Sequence, residues 1–102
     1  MDSQARYDAL VANVTGRHGD VSPGQMFGMP CLKRGGKVVA GLWKDGGLTV
    51  KLTDAATRGE ALALPGVELF DPGMGRRMRE WVLVPAGQAD RWDALVEQAL
   101  AT

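Results

Sequence analysis

Two short runs of residues, separated by a glycine-rich turn, constrain the fold of this chain most strongly. The run Lys37–Lys44 is mostly apolar, whereas in Leu48–Leu52 the apolar residues alternate with Thr49 and Lys51. Between the runs lies Asp45-Gly46-Gly47, and Asp-Gly is a strong hairpin signal because glycine accepts a positive φ. The two runs are therefore predicted to be antiparallel neighbours, the first buried on both faces and the second on one.

Short apolar runs and turn residues outline the rest of the sheet. Met29–Lys33 is predicted to be a strand that turns back through Arg34–Gly36, where two glycines permit positive φ without steric cost. Val67–Phe70 and Trp81–Val84 are predicted to be the remaining strands, because they are short, apolar and adjacent to proline-containing turns. Asp20–Gly24 is rich in turn residues and is predicted to be a connection.

Three segments have the periodicity or the capping residues of helices. The first runs from near Ser3, its predicted N-cap, to His18, and the second runs from Asp54 to about Ala63 with Thr53 as its predicted N-cap. The third carries one apolar stripe, formed by Trp92, Leu95, Val96, Ala99 and Leu100. The order α-β-β-β-α-β-β-α predicts an α+β fold over residues 1–102, a single domain with one antiparallel β-sheet of about five strands flanked by helices.

The composition is that of a globular domain without disulfides. In 102 residues, 12 basic side chains balance 12 acidic ones, so no overall field attracts nucleic acid or a membrane surface. The single cysteine, Cys31, excludes an internal disulfide and a cysteine-based metal cluster within one chain. The first residues do not have the pattern of a signal peptide, and no apolar run approaches the ~20 residues that span a bilayer. We expect a cytoplasmic protein with no membrane partner.

The residue types that usually carry catalysis or bind metals are few and isolated. His18 is the only histidine and is expected at the surface near the end of the first helix. Cys31 is expected to be a small buried side chain, because no neighbouring base is visible that would activate a thiolate. Ser3 and Ser22 lie outside any Gly-x-Ser-x-Gly motif. We therefore expect no catalytic residue, no metal site and no cofactor.

The glycine- and arginine-rich loop before the last strand is one candidate binding site. Its glycines let the backbone approach a ligand and turn N–H groups towards an anion, and its arginines supply charge-assisted donors to phosphate or carboxylate. The candidate ligand- or anion-binding residues are Gly73, Gly75, Arg76, Arg77 and Arg79. The alternative is a solvated connection whose arginines pair with Asp71 and Glu80.

The basic hairpin is the second candidate binding site. Between Lys33 and Lys51, basic residues outnumber the single acid Asp45, and an aromatic ring lies among them. Basic groups interleaved with aromatic rings are typical of nucleic-acid surfaces. The candidate nucleic-acid-binding residues are Lys33, Arg34, Lys37, Trp43 and Lys44. The alternative is that the lysines protect strand ends and edges from unwanted pairing.

The order and spacing of several motifs resemble a known family. The motifs are Met26–Gly28 before a glycine-turned hairpin, Ala40 in the next strand, Leu48–Leu52, and Gly75–Pro85. Over most of its length the chain resembles the N-terminal domain of TfoX/Sxy-type proteins, and the MmcQ/YjbR-like proteins are the nearest competitor because they share a similar layout. The resemblance implies an α+β layout and a link to regulators of DNA-uptake competence, and it brings no catalytic residues with it.

These observations favour a non-enzymatic module that acts through contacts with an unknown protein partner in a cytoplasmic regulatory pathway. Two alternatives stay open. One is a nucleic-acid-binding protein that uses the basic hairpin and the arginine-rich loop. The other is a protein that binds a small anionic ligand at Gly73–Arg77. A homodimer through a sheet edge or the last helix is also compatible with the sequence.

Overall fold

In a computed structural model, which describes residues 2–26, 28–73, 75 and 77–101, these residues form a six-stranded antiparallel sheet and three α-helices. The helices are α1 (Ser3–Arg17), α2 (Ala55–Leu62) and α3 (Trp92–Leu100), and a short 3₁₀ helix, Ala86–Arg91, precedes α3. The strands are β1 (Val21–Met26), β2 (Met29–Arg34), β3 (Lys37–Leu42), β4 (Leu48–Lys51), β5 (Glu68–Leu69) and β6 (Trp81–Val84). The predicted α+β fold with one antiparallel sheet is confirmed, with six strands where about five were expected.

The additional strand, β1, forms where the sequence predicts a connection at Asp20–Gly24, and that prediction is wrong. Val21–Met26 pairs with β2 along its whole length and forms one edge of the sheet. Pro23 is accepted here because an edge strand has one side without ladder hydrogen bonds. Gly24 leaves room for the side chain of Lys33, whose Cε would lie 2.9 Å from a Cβ at this position. Turn-forming residues are therefore part of the strand.

The two predicted hairpin turns are confirmed. Gly35 and Gly36 have φ values of 58° and 79°, and Gly46 has a φ of 90°, all in the left-handed region that glycine accepts without strain. The carboxylate of Asp45 also accepts a hydrogen bond from the Gly47 N–H at 2.8 Å, which stabilises the β3–β4 turn locally. Both hairpins can therefore be traced to short-range sequence.

The caps and one strand differ in detail from the sequence predictions. Asp2 rather than Ser3 caps α1, and Asp54 rather than Thr53 caps α2. Each aspartate accepts a hydrogen bond from the backbone N–H three residues later, at 2.7 and 2.8 Å respectively. In the predicted strand Val67–Phe70, only the middle two residues form β5, although the Phe70 N–H also donates to the Trp81 carbonyl at 2.9 Å. Each cap thus lies one residue away from the predicted one.

The core lies between the helices and one face of the sheet. Register places Leu32, Ala40, Val50 and Val82 side by side across β2, β3, β4 and β6, and all four are completely buried. The helices cover this row with side chains at helical spacing, including the predicted stripe of α3. Burial of this apolar surface is the main stabilising contribution, at roughly 25 cal/mol per Å² removed from water.

The opposite face of the sheet has a smaller buried patch. Cys31, Gly41 and Thr49 lie side by side there, and the Thr49 hydroxyl donates to the Gly41 carbonyl at 3.0 Å. The rings of Trp43 and Phe70 pack edge to face with centroids 4.8 Å apart. Both sides of the central strands are thus covered, as the mostly apolar run in β3 predicts. For β4 the prediction of burial on one face only is wrong, because Thr49 on the other face is completely buried.

Candidate anion-binding cleft

An open cleft lies at the end of the sheet where β4 finishes and β6 begins. Its volume is about 570 Å³. We call it the basic cleft, and its lining residues are Lys51, Thr53, Arg58, Met78, Arg79 and Trp81, together with the acid Glu80. Its size lies within the range of about 300–1,000 Å³ that is typical of small-molecule sites.

Backbone pairing brings the two walls of the basic cleft together. Lys51, the last residue of β4, pairs with Trp81, the first residue of β6, so their Cβ atoms lie about 5 Å apart. One residue further on, the Leu52 N–H donates to the Glu80 carbonyl at 2.8 Å. The segments that carry the cationic side chains of Lys51 and Arg79 are therefore held side by side by the sheet itself.

Helix α2 supplies the third cation of the cleft. The side chain of Arg58, one turn into the helix, donates from Nη1 to the Leu52 carbonyl at 2.8 Å, which fixes the guanidinium beside the end of β4. The Asp54 carboxylate accepts from the backbone N–H and the hydroxyl of Thr57, both at 2.8 Å. These bonds, the backbone bond first, hold the pKa of Asp54 below its ordinary value. Asp54 is thus engaged as the helix cap.

The charges that line the basic cleft do not cancel. Lys51, Arg58 and Arg79 stand against the single acid Glu80, which leaves an excess of two positive charges. Within the described part of the chain, none of these three cations forms an ion pair. A concave wall lined by one sign of charge concentrates the field and attracts counter-ions of the opposite sign. The cleft is therefore suited to an anion.

A second, smaller cleft continues from the first. It has a volume of about 180 Å³, shares Lys51 and Thr53 with the basic cleft, and extends to Lys37 at the start of β3. Arg34 also lines it, but this side chain donates to the Asp20 carboxylate at 2.8 Å and to the Leu100 carbonyl at 2.6 Å. Lys37 therefore extends the positive surface, whereas Arg34 connects β2 to the end of α3.

The structure separates the candidate nucleic-acid residues into two groups. Lys33, Arg34 and Lys37 flank the β2–β3 turn, while Trp43 and Lys44 follow β3 at its other end, ~20 Å away for a strand of this length. The ring of Trp43 packs against Phe70, and the Lys44 ammonium lies 5.3 Å from the Trp43 ring centroid. The two groups thus lie at opposite ends of β3, and of these four basic residues Lys44 is the one beside the Trp43 ring.

Only part of the predicted anion-binding loop reaches the basic cleft. Arg79 lines it, whereas Gly73, Gly75 and Arg77 are exposed outside it, and Arg76 lies outside the described residues. Both glycines have positive φ, as expected for a loop of this kind. However, the Gly73 N–H donates to the Asp71 carboxylate at 2.8 Å, so it is already bonded within the loop.

Sequence reasoning missed most of the basic cleft. Lys51, Arg58 and Trp81 come from β4, α2 and β6; the pairing of β4 with β6 brings Lys51 beside Trp81, and the bond to the Leu52 carbonyl places Arg58 near them. The available signal was modest: Lys51 is the polar residue that ends an alternating strand, and Arg58 is a cation in the first turns of the next helix. The register between strands so distant in the chain cannot be read from local pattern.

The histidine and the cysteine lie outside the basic cleft. The Nε2–H of His18 donates to the Glu97 carboxylate at 2.9 Å, between α1 and α3. Cys31 is buried as predicted, and burial raises the pKa of its thiol, an effect that the nearby charge of Lys33 partly opposes. A buried thiol with a raised pKa is a poor nucleophile at neutral pH.

Comparison with known proteins leaves the family of this chain undefined. Neither the protein-family models, nor the curated proteins, nor the solved structures gave a match. Among the described residues, no group of three or more histidine, cysteine, aspartate or glutamate side chains is arranged to hold a metal ion. None of the helices in this part of the chain is long and apolar enough to cross a bilayer. The resemblance to the TfoX/Sxy N-terminal domain therefore stays a prediction.

Proposed function

We propose that this protein is a non-enzymatic binding module that holds an anionic group in the basic cleft. One observation supports this proposal above all others. Lys51, Arg58 and Arg79 line one concave surface, and among the described residues none of them forms an ion pair, although the charge of Arg58 helps to lower the pKa of the nearby Asp54 carboxyl. Cations that are grouped without internal partners favour an external anion, because binding removes their mutual repulsion.

The chemistry of the three side chains supports an anion in particular. Arginine presents a planar fork of N–H donors that matches carboxylate and phosphate, and lysine adds a compact point charge. Arg58 is already held in place by its bond to the Leu52 carbonyl, so less side-chain freedom is lost when a ligand binds. The non-enzymatic assignment is supported by the positions of His18 and Cys31, both outside the cleft.

The proposed setting of this binding module is a regulatory role in the cytoplasm. The resemblance to the TfoX/Sxy N-terminal domain supports that setting, and a protein partner that presents an acidic or phosphorylated group fits the same cleft. A homodimer through strand β1 is disfavoured because Pro23 removes one backbone donor from that sheet edge, and one through α3 would use only its exposed residues, since its apolar stripe is buried in the core. These assignments extend the predictions made from sequence.

Amide chemical-shift titration tests the proposed anion site directly. The probes are inorganic phosphate and inorganic sulfate, added at constant ionic strength so that general screening does not change. We expect saturable shifts at residues 51–53, 58 and 79–81, with millimolar affinity. Residues 43–46, at the other end of the sheet, should show no saturable shift.

A pair of charge variants serves as the control for this titration. Arg79→Gln removes one cation from the cleft and should weaken phosphate binding at least fivefold, whereas Lys44→Gln makes the same change in charge at the far end and should leave it unaltered. Circular dichroism checks that both variants are folded. Absence of saturable shifts in the unsubstituted protein, or equal weakening by both variants, would contradict an anion site here.

A second candidate function is the binding of a nucleic-acid strand along the two joined clefts. The observation in its favour is that both clefts share Lys51 and Thr53, so the positive surface continues from Arg79 to Lys37. A strand that contacts Z phosphates releases counter-ions, so its log affinity falls with log salt at a slope of about −0.7Z. With Lys37, Lys51 and Arg79 in contact, a slope near −2 is expected for an oligothymidine probe. No binding at low salt would exclude this function.

A further inference from the structure

We infer that the ligand of the basic cleft is a phosphomonoester of a small organic molecule, with its phosphoryl group among Lys51, Arg58 and Arg79. This inference rests on the proposed function and narrows it from anions in general to one chemical class. It draws on three properties of the cleft, which are its net charge, its volume and the presence of apolar as well as cationic side chains in its lining.

The charge of the cleft matches one phosphoryl group. Three cations and one acid leave two positive charges among the lining residues. A phosphomonoester carries about −1.5 to −2 at neutral pH, whereas a single carboxylate carries −1 and leaves part of the repulsion in place. Three phosphoryl oxygens also offer enough acceptors for two guanidinium groups and an ammonium group together.

The cleft has room for more than a phosphate ion. A phosphate group is small beside an open cleft of about 570 Å³, so space remains next to it. The remaining space is within the usual size of sites for organic ligands. An ester with an organic body therefore fits the cleft better than free phosphate.

The lining of the cleft also includes two apolar side chains. Met78 is half-buried and Trp81 is 9% exposed, so together they present a limited apolar surface to the cleft. The Trp81 side chain lies directly across the β4–β6 pair from Lys51. An organic group linked to the phosphoryl group is thus in reach of apolar contacts, each buried CH₂ contributing about 0.8 kcal/mol. A thioether such as Met78 adapts its shape to an aromatic or aliphatic body.

The single acid of the cleft argues against ligands with several phosphates. Glu80 lies between Arg79 and Trp81 in the chain and lines the same cleft. One dianionic phosphoryl group already balances the excess of two charges, so further phosphates of a diphosphate or triphosphate would add repulsion with Glu80. Glu80 is also an acceptor for a hydroxyl or amine on the organic body. The cleft thus favours a monoester.

Three probes separate the contributions that the phosphoryl charge and the organic part of the ligand make to binding. Phenyl phosphate has both the phosphoryl group and an organic body, inorganic phosphate has the first alone, and benzoate has a body of similar size with a single negative charge. Binding is measured by amide shifts and by calorimetry at constant ionic strength, at a pH above the second phosphate pKa of about 6. We expect phenyl phosphate to bind at least tenfold more tightly than either of the other two.

Substitutions and pH complete the test. Arg79→Gln and Lys51→Gln should each weaken phenyl phosphate at least tenfold, and Lys44→Gln should not. Lowering the pH below about 6 converts the dianion to the monoanion and should weaken phenyl phosphate several-fold without weakening benzoate at the same pH. These changes would support both the site and the ligand class.

The outcomes distinguish this inference from the proposed function on which it rests. Equal affinity for phenyl phosphate and inorganic phosphate, or for phenyl phosphate and benzoate, would overturn the phosphomonoester while leaving an anion site in place. If none of the three probes shifts residues 51–53 or 79–81, the proposed function and the inference both fall. A phosphoserine peptide that binds at least tenfold more tightly than phenyl phosphate would replace the small molecule by a protein partner.

Discussion

The basic residues of this protein occupy two kinds of surroundings. Between α1 and α3, Arg17 Nη2 lies 2.7 Å from the Asp93 carboxylate and 2.9 Å from that of Glu97, and His18 Nε2 lies 2.9 Å from Glu97. We call these four residues the helix clasp. In the basic cleft, by contrast, the three cations have no ion pair within the described part of the chain. The comparison separates cations that pair with carboxylates between two helices from cations that form no ion pair among the described residues.

The helix clasp orients the helices more than it stabilises them. The Arg17, Asp93 and Glu97 side chains are 45%, 41% and 36% exposed, so water and salt screen their attraction. The packing between α1 and α3 depends instead on buried side chains such as Leu10, Trp92 and Val96. The clasp therefore adds ion pairs between two helices whose packing depends mainly on the core.

The largest expected loss of stability comes from substituting Leu52, a buried residue next to the basic cleft. Leu52 is 1% exposed and its N–H bonds the Glu80 carbonyl, so Leu52→Ala removes core volume between the cleft and the helices. We expect the free energy of unfolding to fall by about 3 kcal/mol. Urea denaturation measures this loss, with Leu64→Ala, at a half-buried site, as the control that should lose less. A loss below about 1 kcal/mol for Leu52→Ala would show that the cleft is not built on the core.

A smaller loss of stability is expected at Arg58, whose side chain both bonds to the backbone and lines the basic cleft. Arg58→Gln removes the bond to the Leu52 carbonyl as well as one cleft charge, so unfolding should become easier by about 1 kcal/mol and phosphate should bind more weakly. Arg58→Lys keeps the charge but not the guanidinium fork. It should therefore lose stability while keeping more of the affinity than Arg58→Gln. Equal affinity of the two variants would mean that charge at this position does not contribute to binding.

The helix clasp is expected to contribute still less to the free energy of unfolding, and to do so only above the acidic pH range. Hydrogen bonding by His18 first, and then by Arg17, holds the pKa of Glu97 below its ordinary value of 4.5. Because the folded-state pKa is lowered, the stabilisation is present above pH 4.5 and is lost as pH falls through the folded-state value. Glu97→Gln should cost about 0.5 kcal/mol at neutral pH and nothing in strong acid.

Denaturation of Glu97→Gln across a pH series measures this difference. The loss of stability on acidification should be shallower than in the unsubstituted protein, though not abolished, because the carboxyl of Asp20 also has a lowered pKa through its bond to Arg34. Glu60→Gln is a matched control on α2 and should leave the acid dependence unchanged. A pH dependence that is the same in both variants would show that the clasp makes no contribution.

The smallest effect on stability is expected for the two substitutions in the basic cleft that should weaken ligand binding most. Lys51→Gln and Arg79→Gln break no ion pair of the described residues, so the free energy of unfolding should change by less than about 0.5 kcal/mol. At low salt the change should be towards greater stability, since repulsion within the cleft is relieved. Thermal unfolding at low and high salt measures this. A loss above about 1 kcal/mol would show that these cleft charges stabilise the fold.

Much of the fold follows from short-range sequence, and the exceptions have specific causes. Both hairpins come from glycine-containing turns and the α3 stripe from helical periodicity, so local conformational preference and burial agree there. β1 was missed because Pro23 and Gly24 disfavour a strand by composition, yet pairing with β2 at a sheet edge outweighs that preference. Each helix N-cap lies one residue from the predicted one because two residues with capping side chains are adjacent there, as Asp2 and Ser3 are at the start of α1.

The candidate site was less predictable than the fold. Arg79 was identified from its loop, but Lys51 and Arg58 join it only through the pairing of β4 with β6 and the bond from Arg58 to Leu52. The residues predicted to group around Trp43 are instead separated by the structure. Residues close in sequence lie at opposite ends of β3, because an extended strand separates its ends by ~3.3 Å per residue.

The sequence by itself determined the α+β class, the two glycine hairpins and the apolar stripe of α3, because these depend on backbone preference and periodicity within a few residues. Tertiary structure alone decided the order β1-β2-β3-β4-β6-β5, which inserts β6 between β4 and β5. That insertion brings Arg79 beside Lys51, while the packing of α1 on α3 pairs Arg17 with Glu97. Whether a cation meets a carboxylate or remains available to a ligand depends on such long-range contacts, since electrostatic pairing acts over a few ångströms in space, whatever the distance along the chain.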